Sequence, residues 1–240
     1  MVKLNTFSIV ARCARTGQFG VAVSTKVPAV GMLCPFARAG VGAVATQSFV
    51  NPYLGIWGLE LLSEERGAEE VKGLLLERDP DPAKRQFTVV DRWGGSAAYT
   101  GEESDTWRGH RTAEDFAVAG NMLVGEETLR VMAESFQSTG ASPLIERLLL
   151  ALEAGQQAGG DKRGRQSAAV RVVDKEEYPL LDLRVDEHRE PVPELRRVYE
   201  VARRELVPLT SMMPTRQNPT GRFDLEAARE SGLLQDYSES

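Results

Sequence analysis

The sequence predicts an α+β fold built in layers, with antiparallel sheets at the centre and helix pairs outside. Two observations predict it. Strand-like segments come in groups, separated by two pairs of helices and followed by one more helix, and paired helices do not make a βαβ alternation. The chain has 240 residues with no repeat, and no composition break before about Leu206.

The elements follow in order. "TFSIVARC" and "FGVAVSTKV" are rich in β-branched and small apolar residues and read as strands joined by the turn "ARTGQ". "AGVGAVATQSFV" reads as a third strand, its small residues implying close approach of another layer. "YLGIWGLELLSEE" and "GAEEVKGLLLERD" read as helices, the second closed by "DPDP". "RQFTVVDRWGGSAAYTG" is a hairpin with a "WGG" turn, and "DFAVAGNMLV" another strand. Two helices follow, "EETLRVMAESFQ" and "SPLIERLLLALEAG"; Leu129, Met132, Ala133 and Phe136 recur at helical spacing in the first. After the "GGDKRG" loop come the strands "SAAVRVVD" and "LDLRVDEH", then the helix "PELRRVYEVARRELV". Residues 1–205 are expected to form one layered domain. Residues 206–240 are turn-rich, with a short helix candidate around Asp224 to Glu230, and read as an arm. An ordered arm needs contacts to offset its entropy, so it is expected against a second subunit or across the helix layer.

Composition narrows the function. Apolar residues make up 42%, as in soluble globular proteins, and the net charge is −6, from 35 acidic and 29 basic residues, which argues against a nucleic-acid partner. No apolar run approaches the roughly 20 residues that span a bilayer, so no membrane role is expected. "MVKLNTFSIVARCAR" lacks the continuous apolar region of a signal peptide, and Cys13 and Cys34 make no disulfide framework. The expectation is a cytoplasmic protein with reduced thiols.

Several motifs fail on chemistry. "GGDKRGRQS" nearly spells a phosphate loop, but Arg165 and Gln166 stand where Lys-Ser/Thr should be, and a strand follows instead of a helix. "GVGAVA" fails as a dinucleotide fingerprint for lack of a following helix. In "DLRVDEH", Asp182, Arg184, Asp186 and His188 share one strand face. Arg184 in their midst repels a cation and pairs with carboxylates, so ion pairing is expected and no metal. His110 is the only other histidine, and no G-x-S-x-G elbow occurs. Cys34 precedes a proline in an apolar stretch and Cys13 lies near a turn; both read as inert thiols. Thr6 has two readings. As a β-branched residue it suits a strand. As an N-terminal residue it could use its own α-amine as base, with no histidine, but Met1 to Asn5 precede it.

"TFSIVAR", "GVAVST", "ARAGVGAVATQ", "RQFTVVD", "AAYTG", "GH", "AGNML", "AGGDKRGRQSAA" and "DLRVDEH" together resemble domain-of-unknown-function family 1028, in order, over about Thr6 to Arg204. The resemblance implies a four-layer αββα sandwich like that of N-terminal-nucleophile (Ntn) hydrolases, which cleave amide bonds with an N-terminal Thr, Ser or Cys. Many relatives begin Met-Thr-Phe-Ser, so that loss of the first methionine exposes the threonine. Here "VKLN" intervenes, Cys13 stands where relatives often carry Asp, and "TGEESDTW" lacks a cysteine often found there. By resemblance, Ser24, Lys26 and Arg38 flank Thr6, while strand ends of the other sheet offer Gln47, Asn121 and Asp161, with Gln166 and Ser167 behind. A cation, Lys26 or Arg38, would lower the Thr6 hydroxyl pKa, Asn121 or a backbone N–H would bind the oxyanion, and Asp161 would orient cation or substrate. Ser24, Gln47, Gln166 and Ser167 would bind substrate. The loop at residues 158–166 is then a site rim, with Asp161 in a cleft shared with Asn121 or Gln47. The implied functions are a hydrolase of a small amide-type substrate without cofactor, a non-catalytic small-ligand module on the same fold, or an assembly protein; a homo-oligomer, a dimer, is expected.

Overall fold

A computed structural model describes residues 3–4, 6–222, 224, 226 and 229. Two antiparallel sheets lie face to face between helix layers. The first sheet has the order β1(Lys3–Leu4), β5(Gly42–Phe49), β6(Arg85–Asp91), β7(Ser96–Thr100), with β4(Pro35–Arg38) also pairing with β5. The second runs β11(Leu181–Val185), β10(Ser167–Val173), β3(Phe19–Thr25), β2(Thr6–Arg12), β9(Phe116–Gly120), β8(Gly109–Ala113). Helices α1(Pro52–Ser63) and α2(Ala68–Arg78) cover the first sheet; α3(Glu127–Ser138), α4(Leu144–Gln157) and α5(Pro191–Glu205) cover the second. The result is the αββα sandwich.

Three apolar layers hold it together, and strand parity assigns each residue to one of them. In β2, Phe7, Ile9 and Ala11 face α3 and α4, while Val10 meets Val21, Ala43 and Val90 between the sheets. Val44, Phe87 and Val89 face α1 and α2. Because both faces of the central strands are covered, "TFSIVAR" is buried almost throughout, which is why it lacks a clean alternation. Helix α3 buries Leu129, Met132 and Phe136, the spacing read from sequence. Helix α1 starts where Asn51 Oδ1 accepts the Tyr53 N–H at 3.1 Å and Pro52 fills the first turn.

Some elements were not expected. "AGVGAVATQSFV" is only the second strand of a hairpin whose first is β4, and β1 and β8 are additional. Arg184 binds Asp186 through Nε and Nη2 at 2.9 to 3.0 Å, as the ion-pair reading of "DLRVDEH" expected, while Asp182 sits 3.7 Å from Arg171 instead. The described part of the arm folds back on the loop between β10 and β11: Tyr178 Oη donates to Pro214 O at 2.6 Å and the Arg216 N–H to Glu176 at 3.0 Å. These contacts are with a loop rather than across the helix layer. Most of the helix candidate at Asp224 to Glu230 lies outside the described residues. Among the described residues, no helix is long and apolar enough to cross a membrane.

Both cysteines are buried, yet differently. Burial pushes the Cys34 thiol up to about 12, only partly offset by a backbone hydrogen bond at Thr46. Burial also raises Cys13, but hydrogen bonds at Thr16 and Arg15 outweigh it and bring the pKa down. A thiol-specific disulfide reagent at pH 8 is therefore expected to label Cys13 first and Cys34 only at the rate of global unfolding. Labelling of Cys34 ahead of Cys13 would contradict this ordering.

Candidate functional site

Register places the ends of β2, β3, β5, β6 and β9 together at one pole. Thr6 opens β2 opposite Thr25, and Phe7 lies opposite Gly120, so Asn121 follows beside Thr6. In the facing sheet, Gln47 lies opposite Gln86, and Gln86 opposite Thr100. Parity turns Thr6, Ser8, Gln47, Gln86 and Thr100 into the space between the sheets.

A buried polar cluster fills that space. Thr6 is fully buried, and its Oγ1 donates to Thr25 Oγ1 at 3.1 Å. The Thr6 carbonyl accepts the Asn121 N–H at 3.0 Å and Gln47 Nε2 at 3.4 Å. Gln47 Oε1 accepts the Ser8 hydroxyl at 2.7 Å. Gln86 is the hub: its Oε1 accepts Gln47 Nε2 at 2.7 Å and Asn121 Nδ2 at 2.9 Å. Its Nε2 reaches Thr100 Oγ1, Gly109 O and Gly120 O at 2.9 to 3.0 Å. Thr100 Oγ1 lies 2.8 Å from the His110 ring, which carries the chain of contacts to the surface.

Gln86→Leu keeps the volume of the hub but removes the acceptor shared by Gln47 Nε2 and Asn121 Nδ2. The expected cost is about 2–4 kcal/mol in urea unfolding. A neutral Gln86→Leu would show that the cluster contributes nothing through hydrogen bonds.

Two residues beside the cluster carry backbone strain. Ser48, after Gln47, has φ +68°, and Met122, after Asn121, has φ +53°. Non-glycine residues hold this left-handed conformation at a cost of roughly 1 kcal/mol or more, and such residues concentrate at functional sites.

The loop from Ala158 to Gln166 borders this pole. It is knitted to the segment after β9: the Val124 N–H donates to Gly160 O at 3.1 Å and the Lys162 N–H to Met122 O at 3.0 Å. Gly160 is required twice over, by its φ of +57° and by the Phe7 ring, 2.8 Å from where a Cβ would sit. Asp161 is buried, and Arg163 grips its carboxylate through Nε at 3.1 Å and Nη2 at 2.7 Å. The Arg163 and Lys26 N–H groups donate to it at 2.9 and 3.3 Å.

The residues expected from sequence divide accordingly. Thr6, Gln47 and Asn121 come together, but only Gln47 comes from the facing sheet: Asn121 follows β9, which pairs with β2, and Asp161 bridges to Leu123 just beyond it. Asp161 is at the same pole, but its partners are Arg163 and Lys26, not Asn121 or Gln47. Ser167 Oγ donates to Val27 O at 2.5 Å and accepts the Val30 N–H at 3.1 Å, so it pins the chain after β3. Gln166 contributes backbone: its N–H donates to Thr25 O at 2.8 Å and its carbonyl accepts the His188 N–H at 2.8 Å. Ser24, Arg38 and Lys26 do not join the cluster. Ser24 lies opposite Phe7 and Ala168, so it faces the helix layer rather than Thr6. Arg38 pairs with Gly42, five positions along β5 from Gln47, roughly 17 Å away at the strand's rise per residue. Lys26 is exposed, its ammonium 3.5 Å from Arg165 O. Asn121 Nδ2 is engaged with Gln86, so Asn121 supports the cluster. Sequence reasoning missed Ser8, Thr25, Gln86 and Thr100. A glutamine in an otherwise buried strand, as in "RQFTVV", is the signal that could have found Gln86, because a buried amide must be paired.

The model of the family of unknown function DUF1028 matches residues 6–195. The chain belongs to this family. The crystal structure of a family member from Silicibacter pomeroyi is 28% identical, with a TM-score of 0.84 over 92% of this chain and all of that one. Anbu, an ancestral beta-subunit, from Yersinia bercovieri gives 12% identity and a TM-score of 0.39, over 87% of this chain and 98% of that one. An Anbu mutant from Hyphomicrobium sp. strain MC1 gives 10% and 0.43, over 83% and 95%. No curated protein matches the chain.

Proposed function

We propose that this DUF1028 protein is an Ntn-type hydrolase of a small amide-type substrate, with Thr6 as nucleophile in a chain that begins at Thr6. One observation carries the reading: Thr6 heads a central strand, its hydroxyl held by Thr25 and its main chain by Asn121 and Gln47. In such a chain the α-amine takes the hydroxyl proton as Oγ1 attacks the amide carbon. The tetrahedral oxyanion collapses, the proton passes to the leaving nitrogen, and water then cleaves the acyl ester. These steps call for no cofactor.

A second reading rests on an equally specific observation. In the 240-residue chain the Thr6 nitrogen is an amide, and β1 pairs Lys3 with Phe49 and Leu4 with Ser48, beside Gln47. In that form the pole suits ligand binding without catalysis. Removing residues 1–5 breaks these two pairings of β1. The deciding experiment compares the full chain and a chain beginning at Thr6 on a panel of small amides. Turnover confined to the shorter chain supports the hydrolase; turnover by neither leaves the binding module.

A further inference from the structure

We infer that this site takes anionic substrates: small amides bearing a carboxylate, held at the rim by Lys26 and Lys162. The inference rests on the Thr6 pole being the substrate site. The loops around this pole carry the carboxylates Glu102, Glu103, Asp105 and Asp161 and the cations Lys26, Arg108, Lys162, Arg163 and Arg165. Two of these are neutralised locally, Arg163 by Asp161 and Arg165 by Glu190. The two lysines have no such partner among the described residues. Lys26 Nζ has only the Arg165 carbonyl at 3.5 Å, and Lys162 Nζ only the Thr106 carbonyl at 2.7 Å.

Their positions bracket Thr6. Lys26 directly follows Thr25, which holds the Thr6 hydroxyl. Lys162 is bonded through its backbone to Met122, next to Asn121, which holds the Thr6 carbonyl. Both side chains are exposed, so neither is placed to change the basicity of the buried Thr6 hydroxyl. An exposed ammonium selects by charge instead: it attracts a carboxylate whose amide end points inward. Solvent screens such a contact, so the selectivity is modest and falls with salt.

The test is calorimetric binding to a chain beginning at residue 6 with Thr6→Ala, which cannot turn substrate over. The probes are N-acyl amino acids, each paired with its neutral carboxamide. At low ionic strength the carboxylate members are expected to bind about fivefold more tightly. The gap should shrink in high salt and close in a Lys26→Met/Lys162→Met variant whose thermal unfolding is unchanged. Equal binding within every pair, a gap that survives the double substitution, or binding of no probe would overturn the inference. Hydrolysis by the Thr6 chain is scored separately. Turnover without charge preference keeps the Thr6 nucleophile and removes the inference; charge-selective binding without turnover does the reverse.

Discussion

A chain that begins at Thr6 is expected to cleave its substrate about 10³-fold or more faster than the same chain with Thr6→Ala, since removing a nucleophile costs at least that in hydrolases of comparable design. The full 240-residue chain should be no faster than the alanine variant. The reason is chemical rather than steric. Peptide nitrogen has essentially no basicity near neutral pH, and Thr25, the side chain that holds the Thr6 hydroxyl, is not a base. Freeing the α-amine introduces the missing base at a fixed distance from Oγ1. Thr6→Ser keeps both groups and should retain activity within about tenfold, because only the methyl that fixes the rotamer is lost. The pH profile should rise as the amine loses its proton, with a midpoint at or below about 8, the range of an unperturbed α-amine or lower if it is buried. Equal rates for Thr6 and its alanine variant would remove Thr6 from the mechanism.

Much of the architecture was legible because it depends on local pattern. The β-branched run of β2, the helical spacing of α3 and the "WGG" turn each declare their element without reference to the rest. Strands that escaped notice lack that pattern. β1 is two residues long, β4 opens on Pro35, and β8, "GHRTA", is a half-exposed edge strand with no apolar face. Site residues were legible to the extent that they end strands. Thr6, Gln47 and Asn121 meet because β2, β5 and β9 finish at one pole. Ser24 and Arg38 did not, since face and register are properties of pairing. The match of Thr6 with Thr25 puts Ser24 on the opposite face, and the match of Arg38 with Gly42 puts Arg38 at the far end of β5 from Gln47. Neither register can be read from one strand alone. Gln86 was missed for a related reason: its importance comes from partners on four other segments.

Arg85→Ala is expected to destabilise the fold by about 3–5 kcal/mol, the largest stability effect of any single substitution considered for this chain. Arg85 and Asp79 are 5% and 4% exposed and pair at 2.9 Å. Arg85 Nη1 also donates to Phe49 O at 2.7 Å, and Asn51 Nδ2 to Asp79 Oδ2 at 2.7 Å. One ion pair thus joins the end of α2, the start of β6, the last residue of β5 and the cap of α1, directly behind Gln47. Deleting the guanidinium leaves a buried carboxylate short of its cation, which is why breaking the pair costs far more than its net worth. A double Asp79→Leu/Arg85→Met variant removes both charges and should recover part of the loss. The same pair sets the acid limit. Burial raises the Asp79 pKa, but the hydrogen bonds from Arg85, Asn51 and the Asp81 N–H outweigh it, so the carboxyl lies below its ordinary value. A depressed carboxyl stabilises the fold above its unfolded pKa, about 3.9, and that contribution disappears as pH falls through the lower folded value. Urea midpoints taken from pH 6 down to pH 3 should therefore fall in the natural protein. In Asp79→Asn they should start lower and fall less steeply over the same window. Parallel curves would show that Asp79 titrates alike in the folded and unfolded chain, and that the Arg85 pair does not govern acid stability.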